Sequence, residues 1–485
     1  MASIVVKNLS FSYDYEDIFK DVSFTIDTDW KLGLIGRNGK GKTTLLKILQ
    51  NELPYQGTIY TTVEFSYFPF PVKNPDRMTI DILQEIAPDC EEWQIRKELN
   101  TLELEEEVLY RGFDTLSNGE QIKMLLASMF LRENQFLLID EPTNHLDAMA
   151  RKTISKYLNH KKGFIVVSHD RDFLDSCVDH ILSINNTGIE IRQGDFSTWK
   201  ENKERKDNFE LEQNEKIKKE IKRLKQASSR NEKWSDAVER SKTGALDKGY
   251  VGHQAAKMMK RAKVIEKRVE KQQEQKEELL KDIEKAEPII MKPLTYGKHN
   301  LVYISHLQIH YGEKTVFNNV NLEVNKEDRV AIVGKNGSGK SSLLKLIAGR
   351  KIAHMGEMGI GKQMKISYVK QDVSDLSGNL KDFAKKNKVQ ESILKSTLQK
   401  LGFRKEEFDR PIEEYSEGQK KKVALAKSIC EEADLYIWDE PLNFMDILSR
   451  MQIEEMLLKY KPTLVFVEHD EAFIRNVATK IVEIK

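Results

Sequence analysis

Gly36-Arg37-Asn38-Gly39-Lys40-Gly41-Lys42-Thr43-Thr44 follows the apolar run Leu32–Ile35 and precedes Leu45-Leu46-Lys47-Ile48-Leu49. A buried strand, a glycine-rich loop ending in Gly-Lys-Thr and a helix in that order form a phosphate-binding loop. The glycines let successive backbone N–H groups turn toward one anion, and the helix N-terminus adds positive potential. The arrangement returns as Gly334-Lys335-Asn336-Gly337-Ser338-Gly339-Lys340-Ser341-Ser342, between Val330–Val333 and Leu343-Leu344-Lys345-Leu346-Ile347. The acidic pairs Asp140-Glu141 and Asp439-Glu440, and the histidines His169 and His469, keep the same offset of about 300 residues. Three motifs in step mean a duplicated α/β domain. The spacing divides the chain into nucleotide-binding domains at 1–197 and 296–485, with a linker at 198–295.

The 485 residues suffice for two or three full cores. With 78 basic against 77 acidic residues the formal net charge is +1, so global charge predicts no nucleic-acid binding and any such role needs local segregation. No apolar stretch approaches the roughly 20 residues that cross a bilayer, and the first residues, Met1-Ala2-Ser3-Ile4-Val5-Val6-Lys7, read as a strand rather than a leader. The three cysteines, Cys90, Cys177 and Cys430, are scattered, the pattern of reduced thiols in a cytoplasmic protein without a zinc or iron–sulfur site.

The chemistry follows from residue type and position. Lys42 and Lys340 are expected to reach the β and γ phosphates of ATP, while Thr43 and Ser341 place a hydroxyl on Mg²⁺. Phe136–Ile139 and Leu435–Trp438 are buried-strand patterns that deliver carboxylates at their C-terminal ends. Asp140 and Asp439 are expected to hold Mg²⁺ through water. Glu141 and Glu440 are expected to polarise the attacking water. His169 and His469, each after a β-branched run, are placed to contact the γ-phosphate.

Leu116-Ser117-Asn118-Gly119-Glu120-Gln121 and Tyr415-Ser416-Glu417-Gly418-Gln419 open helices, and with them the chain resembles the ABC ATPase superfamily. The resemblance implies two composite sites, each closed by the opposite domain. One is Gly36–Thr44 with Asp140, Glu141 and His169, capped by Ser416, Glu417, Gly418 and Gln419. The other is Gly334–Ser342 with Asp439, Glu440 and His469, capped by Ser117, Asn118, Gly119 and Glu120. Tyr13 and Tyr311 match the aromatic that stacks on adenine. The pairing of two such domains through a charged helical linker, Glu141-Pro142-Thr143-Asn144-His145-Leu146-Asp147, and Gly194-Asp195-Phe196-Ser197-Thr198-Trp199-Lys200 narrow the resemblance to the ABC-F translation factors. The halves differ: Phe70 stands where the second half has the Mg²⁺-ligating candidate Gln371, Phe444 where the first has His145, and Tyr415 where the first has Leu116. This asymmetry suggests two sites that hydrolyse at different rates. Near-equal intervals between the glycine loop and the Ser-initiated helix leave no room for an extra arm insertion in the first half.

In the linker, Ile217, Ile221 and Leu224 mark one helix. Met258, Ala262, Ile265, Val269, Gln272, Lys276, Leu279 and Ile283 mark a second, with coiled-coil spacing. Two such helices predict an antiparallel hairpin of roughly 60 Å. Its tip, 241–255, carries Lys242, Leu246, Lys248, Tyr250, His253 and Lys257. Cations there suit phosphate contacts, and the tyrosine suits base stacking. In ABC-F factors the hairpin enters the ribosome through the tRNA exit site. The resemblance therefore implies a bacterial ribosome partner, met at the large subunit, its 23S rRNA and the P-site tRNA. It also implies no membrane or DNA role, and a monomer whose two domains close on each other.

The blocks Trp30–Gly39, Asn214–Glu220, Met259–Arg261 and Leu435–Asn443 are similar to those of factors protecting ribosomes from lincosamides, streptogramin A and pleuromutilins. Two alternatives stay open from sequence: a housekeeping ABC-F factor that relieves stalled ribosomes, and the ATPase subunit of a membrane transporter.

Overall fold

The computed structural model describes residues 2–13, 16–143, 146, 148–185, 188–240, 267, 288–311, 314–335, 337–443 and 445–484. The expected tip and the second linker limb lie outside the described residues. Two compact units emerge: Met1–Trp199 together with Ala286–Lys485, and Lys200–Lys285.

In the first unit the chain builds one architecture twice. The first cassette has strands β1 (Ser3–Tyr13), β2 (Glu16–Asp27), β3 (Lys31–Gly36), β4 (Gln56–Tyr60), β5 (Glu64–Phe68), β6 (Gln135–Asp140), β7 (Phe164–Val167), β8 (His180–Asn185) and β9 (Gly188–Gln193). They form an antiparallel sheet of order β2-β1-β4 and a larger sheet of order β5-β6-β7-β3-β8-β9, parallel except at β9. The second cassette has β10 (Asn300–Tyr311), β11 (Lys314–Asn325), β12 (Arg329–Gly334), β13 (His354–Ile360), β14 (Ile366–Val369), β15 (Leu435–Asp439), β16 (Leu464–Val467) and β17 (Lys480–Ile484). Its sheets follow the same plan, β11-β10-β13 and β14-β15-β16-β12-β17.

The parallel strands are apolar without alternation because both of their faces are covered. Along β6, Phe136 and Leu138 enter the core shared with the antiparallel sheet and the helix Lys42–Leu49, while Leu137 and Ile139 enter the core under the helices. Along β15, Leu435 and Ile437 face one core and Tyr436 and Trp438 the other. Each phosphate loop leaves a central strand, β3 or β12. Its neighbour, β7 or β16, separates it from the strand that carries the acidic pair. Even the bulges repeat: Asn8 (φ 52°) and His306 (φ 51°) break the register of β1 and β10 at matching places.

Residues 288–294, the end of the stretch read as linker, are tied into the second cassette before its first strand. Ile289 and Met291 are buried in its core, Lys400 Nζ donates to Pro288 O (2.9 Å), and Leu294 N donates to Ala433 O (2.9 Å). The two cassettes are packed on each other. Ile447 joins the first cassette's core, where burying such a side chain stabilises by about 1.5–3 kcal/mol. Arg171 is almost fully buried and pairs with Glu454 and with Asp470 (3.5 Å) of the second cassette. Arg151 Nη1 donates to His469 O at 3.1 Å.

The first linker limb is a helix, Phe196–Arg240, of 45 residues, or about 67 Å at 1.5 Å per residue. On it Ile217 is half-buried and Ile221 buried, the apolar spacing expected from sequence. No helix among the described residues is long and apolar enough to cross a membrane.

Candidate ATP sites

Both phosphate loops take the same shape. The helices Lys42–Leu49 and Lys340–Ile347 start at glycines in the left-handed region, Gly41 (φ 93°) and Gly339 (φ 92°). A Cβ at Gly41 would lie 2.5 Å from Ile18 Cγ2, and one at Gly339 2.3 Å from Val316 Cγ1, so both backbone conformation and space demand glycine. Lys42 Nζ donates to Gly36 O (2.8 Å), Arg37 O (3.3 Å) and Asn38 Oδ1 (3.4 Å). Lys340 Nζ donates to Gly334 O (2.9 Å) and Lys335 O (3.0 Å). Burial holds both ammonium groups below their usual range, although neighbouring carboxylates oppose the shift. Lys40 N closes the first loop on Arg37 O and Ser338 N the second on Lys335 O; Thr44 and Ser342 lie in the first helical turns. Asn336 is outside the described residues.

Next to each loop stands a hydroxyl–carboxylate pair. Thr43 Oγ1 donates to Asp140 Oδ2 (3.2 Å), and Ser341 Oγ donates to Asp439 Oδ1 (3.1 Å). Asp439 is fully buried, and its Oδ2 has no hydrogen-bond partner among the described residues. An orphaned carboxylate oxygen beside a hydroxyl is a hard-oxygen donor set, which suits Mg²⁺. Burial raises the Asp439 carboxyl to about 6 despite the Ser341 hydrogen bond. Around the first pair, Tyr67 OH also donates to Asp140 Oδ2 (2.9 Å), whereas Phe70 packs into the core. Around the second, Gln371 hydrogen-bonds to Glu440 and lines a cavity.

The glutamates are held alike and charged differently. Glu141 (φ 51°) and Glu440 (φ 49°) both sit in the left-handed region, strain that locates at functional turns, and their N–H groups bond Val167 O and Val467 O. His169 Nε2 lies 3.1 Å from Glu141 Oε1, and His469 Nε2 lies 3.3 Å from Glu440 Oε1. Burial and the neighbouring Asp140 push Glu141 up to about 8. Burial also pushes on Glu440, but the hydrogen bonds from His469 and Gln371 and the Lys421 charge outweigh it and bring that carboxyl to about 2. Burial, reinforced by the Lys42 and Arg450 charges, keeps His169 well below its ordinary range and therefore neutral.

The Ser-initiated segments cap their own helices. Ser117 Oγ accepts from Glu120 N while Glu120 Oε2 accepts from Ser117 N, and Ser416 and Gln419 repeat the exchange at the helix Glu417–Cys430. The hydrogen bonds of Ser117, Glu120, Ser416 and Gln419 all run within their own cassettes. Asn118, Gly119, Glu417 and Gly418 lie in the first turns of those helices.

Contacts across the cassettes are unequal. At the first loop, Asn38 N donates to Asp446 Oδ2 (3.2 Å) and Arg404 Nη2 donates to Gly39 O (2.5 Å), while Lys422 Nζ, in the same cassette as Asp446, lies 3.9 Å from that oxygen. At the second loop a cavity of ≈ 570 Å³ opens, lined by Gly337–Ser342, Gln371, Glu440 and His469 and by Glu141, Leu146, Arg151 and His169 of the first cassette. That volume falls in the range of about 300–1,000 Å³ typical of ligand pockets. Sequence reasoning missed Arg404 and Arg151, because no local pattern marks a residue whose partner is hundreds of positions away. Tyr13 is half-exposed and edge-on to Phe11 (4.7 Å). The Tyr311 side chain, His145, Asp147, Phe444 and the tip residues Lys242, Leu246, Lys248, Tyr250, His253 and Lys257 are outside the described set.

The family model described as ABC transporter matches residues 19–144 and 317–443. The chain is 31% identical to the ribosome protection protein VmlR of Bacillus subtilis (strain 168), over 98% of this chain and 85% of that protein. It is 29% identical to ABC transporter F family member 2 of Arabidopsis thaliana, over 100% of this chain and 76% of the relative. The solved structure of RNase-L Inhibitor superposes with a TM-score of 0.62 at 21% identity, covering 98% of this chain and 87% of that one, a likeness of fold. The chain belongs to the ABC ATPase family, in its ABC-F branch, and is an ATP hydrolase.

Proposed function

We propose that this ABC-F ATPase binds the bacterial ribosome in its ATP-bound form and protects translation from lincosamide, streptogramin A and pleuromutilin antibiotics. The observation that carries this reading is a pair of complete ATP cassettes packed on each other, in a chain whose relative over nearly its full length is named a ribosome protection protein. Domains at 1–197 and 296–485 supply the clamp. The linker, 198–295, enters through the tRNA exit site and brings its tip toward the peptidyl-transferase centre beside the P-site tRNA and 23S rRNA. The protein works in the cytoplasm, as a monomer.

In each site the loop N–H groups and Lys42 or Lys340 bind the phosphates of ATP, and Tyr13 or Tyr311 stacks on its base. Thr43 with Asp140, and Ser341 with Asp439 and Gln371, would hold Mg²⁺, which would supply positive charge to offset that of the phosphates. Glu440, and Glu141 in its ionised form, take a proton from the attacking water, His169 and His469 orient them, and the bond between the β and γ phosphates breaks to give ADP and phosphate. ATP contacts both cassettes only when they are closed, so it favours the closed form by differential affinity, and hydrolysis releases it. The Ser-initiated segments would meet the opposite nucleotide in that form.

The test is protein synthesis in vitro, inhibited by lincomycin or a pleuromutilin, with and without the purified protein and ATP. Restored synthesis that is lost when Ala245–Gly252 is shortened supports protection through the tip. ATP-dependent ribosome binding without restored synthesis would make the protein a housekeeping ABC-F factor. Neither effect, together with a changed intracellular drug level, would return the transporter alternative.

A further inference from the structure

Among the described residues, the contact at Gly39 has no counterpart at the second loop. Gly39 (φ 79°) would place a Cβ 3.2 Å from Arg404 Nη2, whereas a Cβ at the equivalent Gly337 (φ 80°) would meet nothing within 4 Å. Arg404 comes from the second cassette. It begins the short turn Lys405–Asp409, just ahead of the Ser416 segment, and its position is fixed by Glu407, whose Oε2 accepts from Arg404 N at 2.7 Å. Aligning Leu401-Gly402-Phe403-Arg404 with Leu102-Glu103-Leu104-Glu105 puts Glu105 at the same structural place, the residue opening the turn Glu106–Tyr110. The duplicated turn thus carries a guanidinium in one copy and a carboxylate in the other.

Resting on the two-site reading above, we propose that Arg404 is a positioning residue of the first ATP site, supplied by the opposite cassette, which makes that site the one that retains nucleotide. Bonding Gly39 O draws a fixed positive charge to the rim of a loop built to hold phosphates. A guanidinium attracts phosphate and orients the donors around it. The contact exists only with the cassettes together, so its benefit to bound ATP is confined to the closed form. Glu105 brings no such cation to the second loop and adds a like charge to the approaching phosphates.

The experiment isolates each site with a glutamate variant of the full chain. Glu440→Gln leaves hydrolysis to the first site, and Glu141→Gln leaves it to the second. In each background Arg404→Ala and Arg404→Lys are compared by kcat and KM, and by retention of radiolabelled ATP on a filter. We expect Arg404→Ala to raise KM and shorten retention about tenfold in the Glu440→Gln background, with a much smaller change in the other, and Arg404→Lys to restore part of the loss. Glu105→Arg, on the exposed turn, should lengthen retention at the second site. Equal effects in both backgrounds, no effect in either, or no lengthening by Glu105→Arg would overturn the assignment of Arg404. Failure of both Glu→Gln variants to slow turnover would instead remove the two-site reading, and is seen before Arg404 is changed.

Discussion

At the scale of single residues, the two halves share geometry and differ in charge. Glu141 and Glu440 have nearly the same backbone strain and the same histidine partner, yet Glu141 lacks a side chain equivalent to Gln371. Single Glu141→Gln and Glu440→Gln variants should therefore leave unequal residual ATPase rates; matching rates would remove the asymmetry. Glu468 offers a separate test. It is buried, its Oε1 accepts from Leu442 N (2.8 Å), and burial pushes its carboxyl up to about 7 even though Arg450 opposes this. An acid raised in the folded state binds more protons there than when unfolded, so its contribution to stability falls as pH rises from about 4.5 through 7. Glu468→Gln should flatten that fall and raise Tm above pH 7 relative to the parent; an unchanged pH profile of Tm would show that the carboxyl does not titrate in this window. The glycine loops, acidic pairs and histidines that meet in each site were all legible in the sequence, because each is a local pattern. The charge difference between Glu141 and Glu440 was not, because it comes from burial and neighbours in space.

At the scale of elements, the Ser-initiated segments do two things that the sequence presents as one. Ser416 and Gln419 close the N-terminus of the helix Glu417–Cys430, and Gln419 Nε2 also donates to Glu407 Oε1 (2.7 Å). Gln419→Ala should cost about 1 kcal/mol of stability from the lost cap alone, measured by denaturant unfolding. An ATPase loss larger than that change explains would separate phosphate contact from capping. The strands were readable from the apolar runs Phe136–Ile139 and Leu435–Trp438, and the helices after the glycine loops from the patterns Leu45–Leu49 and Leu343–Ile347. The double-faced burial of β6 and β15 explains why those runs do not alternate. The first linker limb follows its Ile217–Ile221 spacing as a continuous helix.

At the scale of the whole molecule, the cassettes are joined by charge as well as by apolar contact. Arg171 is buried against Glu454 and Asp470, and Asp470 also accepts from Arg450 Nη1 at 3.1 Å. Removing one member of a buried pair strands its partner and costs about 3–5 kcal/mol, while replacing both with apolar groups of similar size costs far less. Arg171→Met or Glu454→Met alone should therefore lower stability sharply, and the double variant less than the sum. An additive double-mutant cycle would mean the pair does not couple. If closure drives ribosome binding, the Glu141→Gln/Glu440→Gln double variant should co-sediment with ribosomes in ATP more than the parent. Co-sedimentation no better than the parent would remove the clamp.

The sequence by itself determined the duplication, the α/β class, and the place of the glycine-rich loops and the acidic pairs. Each of these is written in residues close together along the chain, where strand, loop and helix preferences act. Only the tertiary structure decided that Asp446 and Arg404 face the first loop, that the second loop keeps an open cavity, and that Arg171 is buried against Glu454. Those contacts join positions that are 283 to 408 residues apart. Shape and burial across the packed cassettes choose such partners, and no local pattern in the chain records that choice.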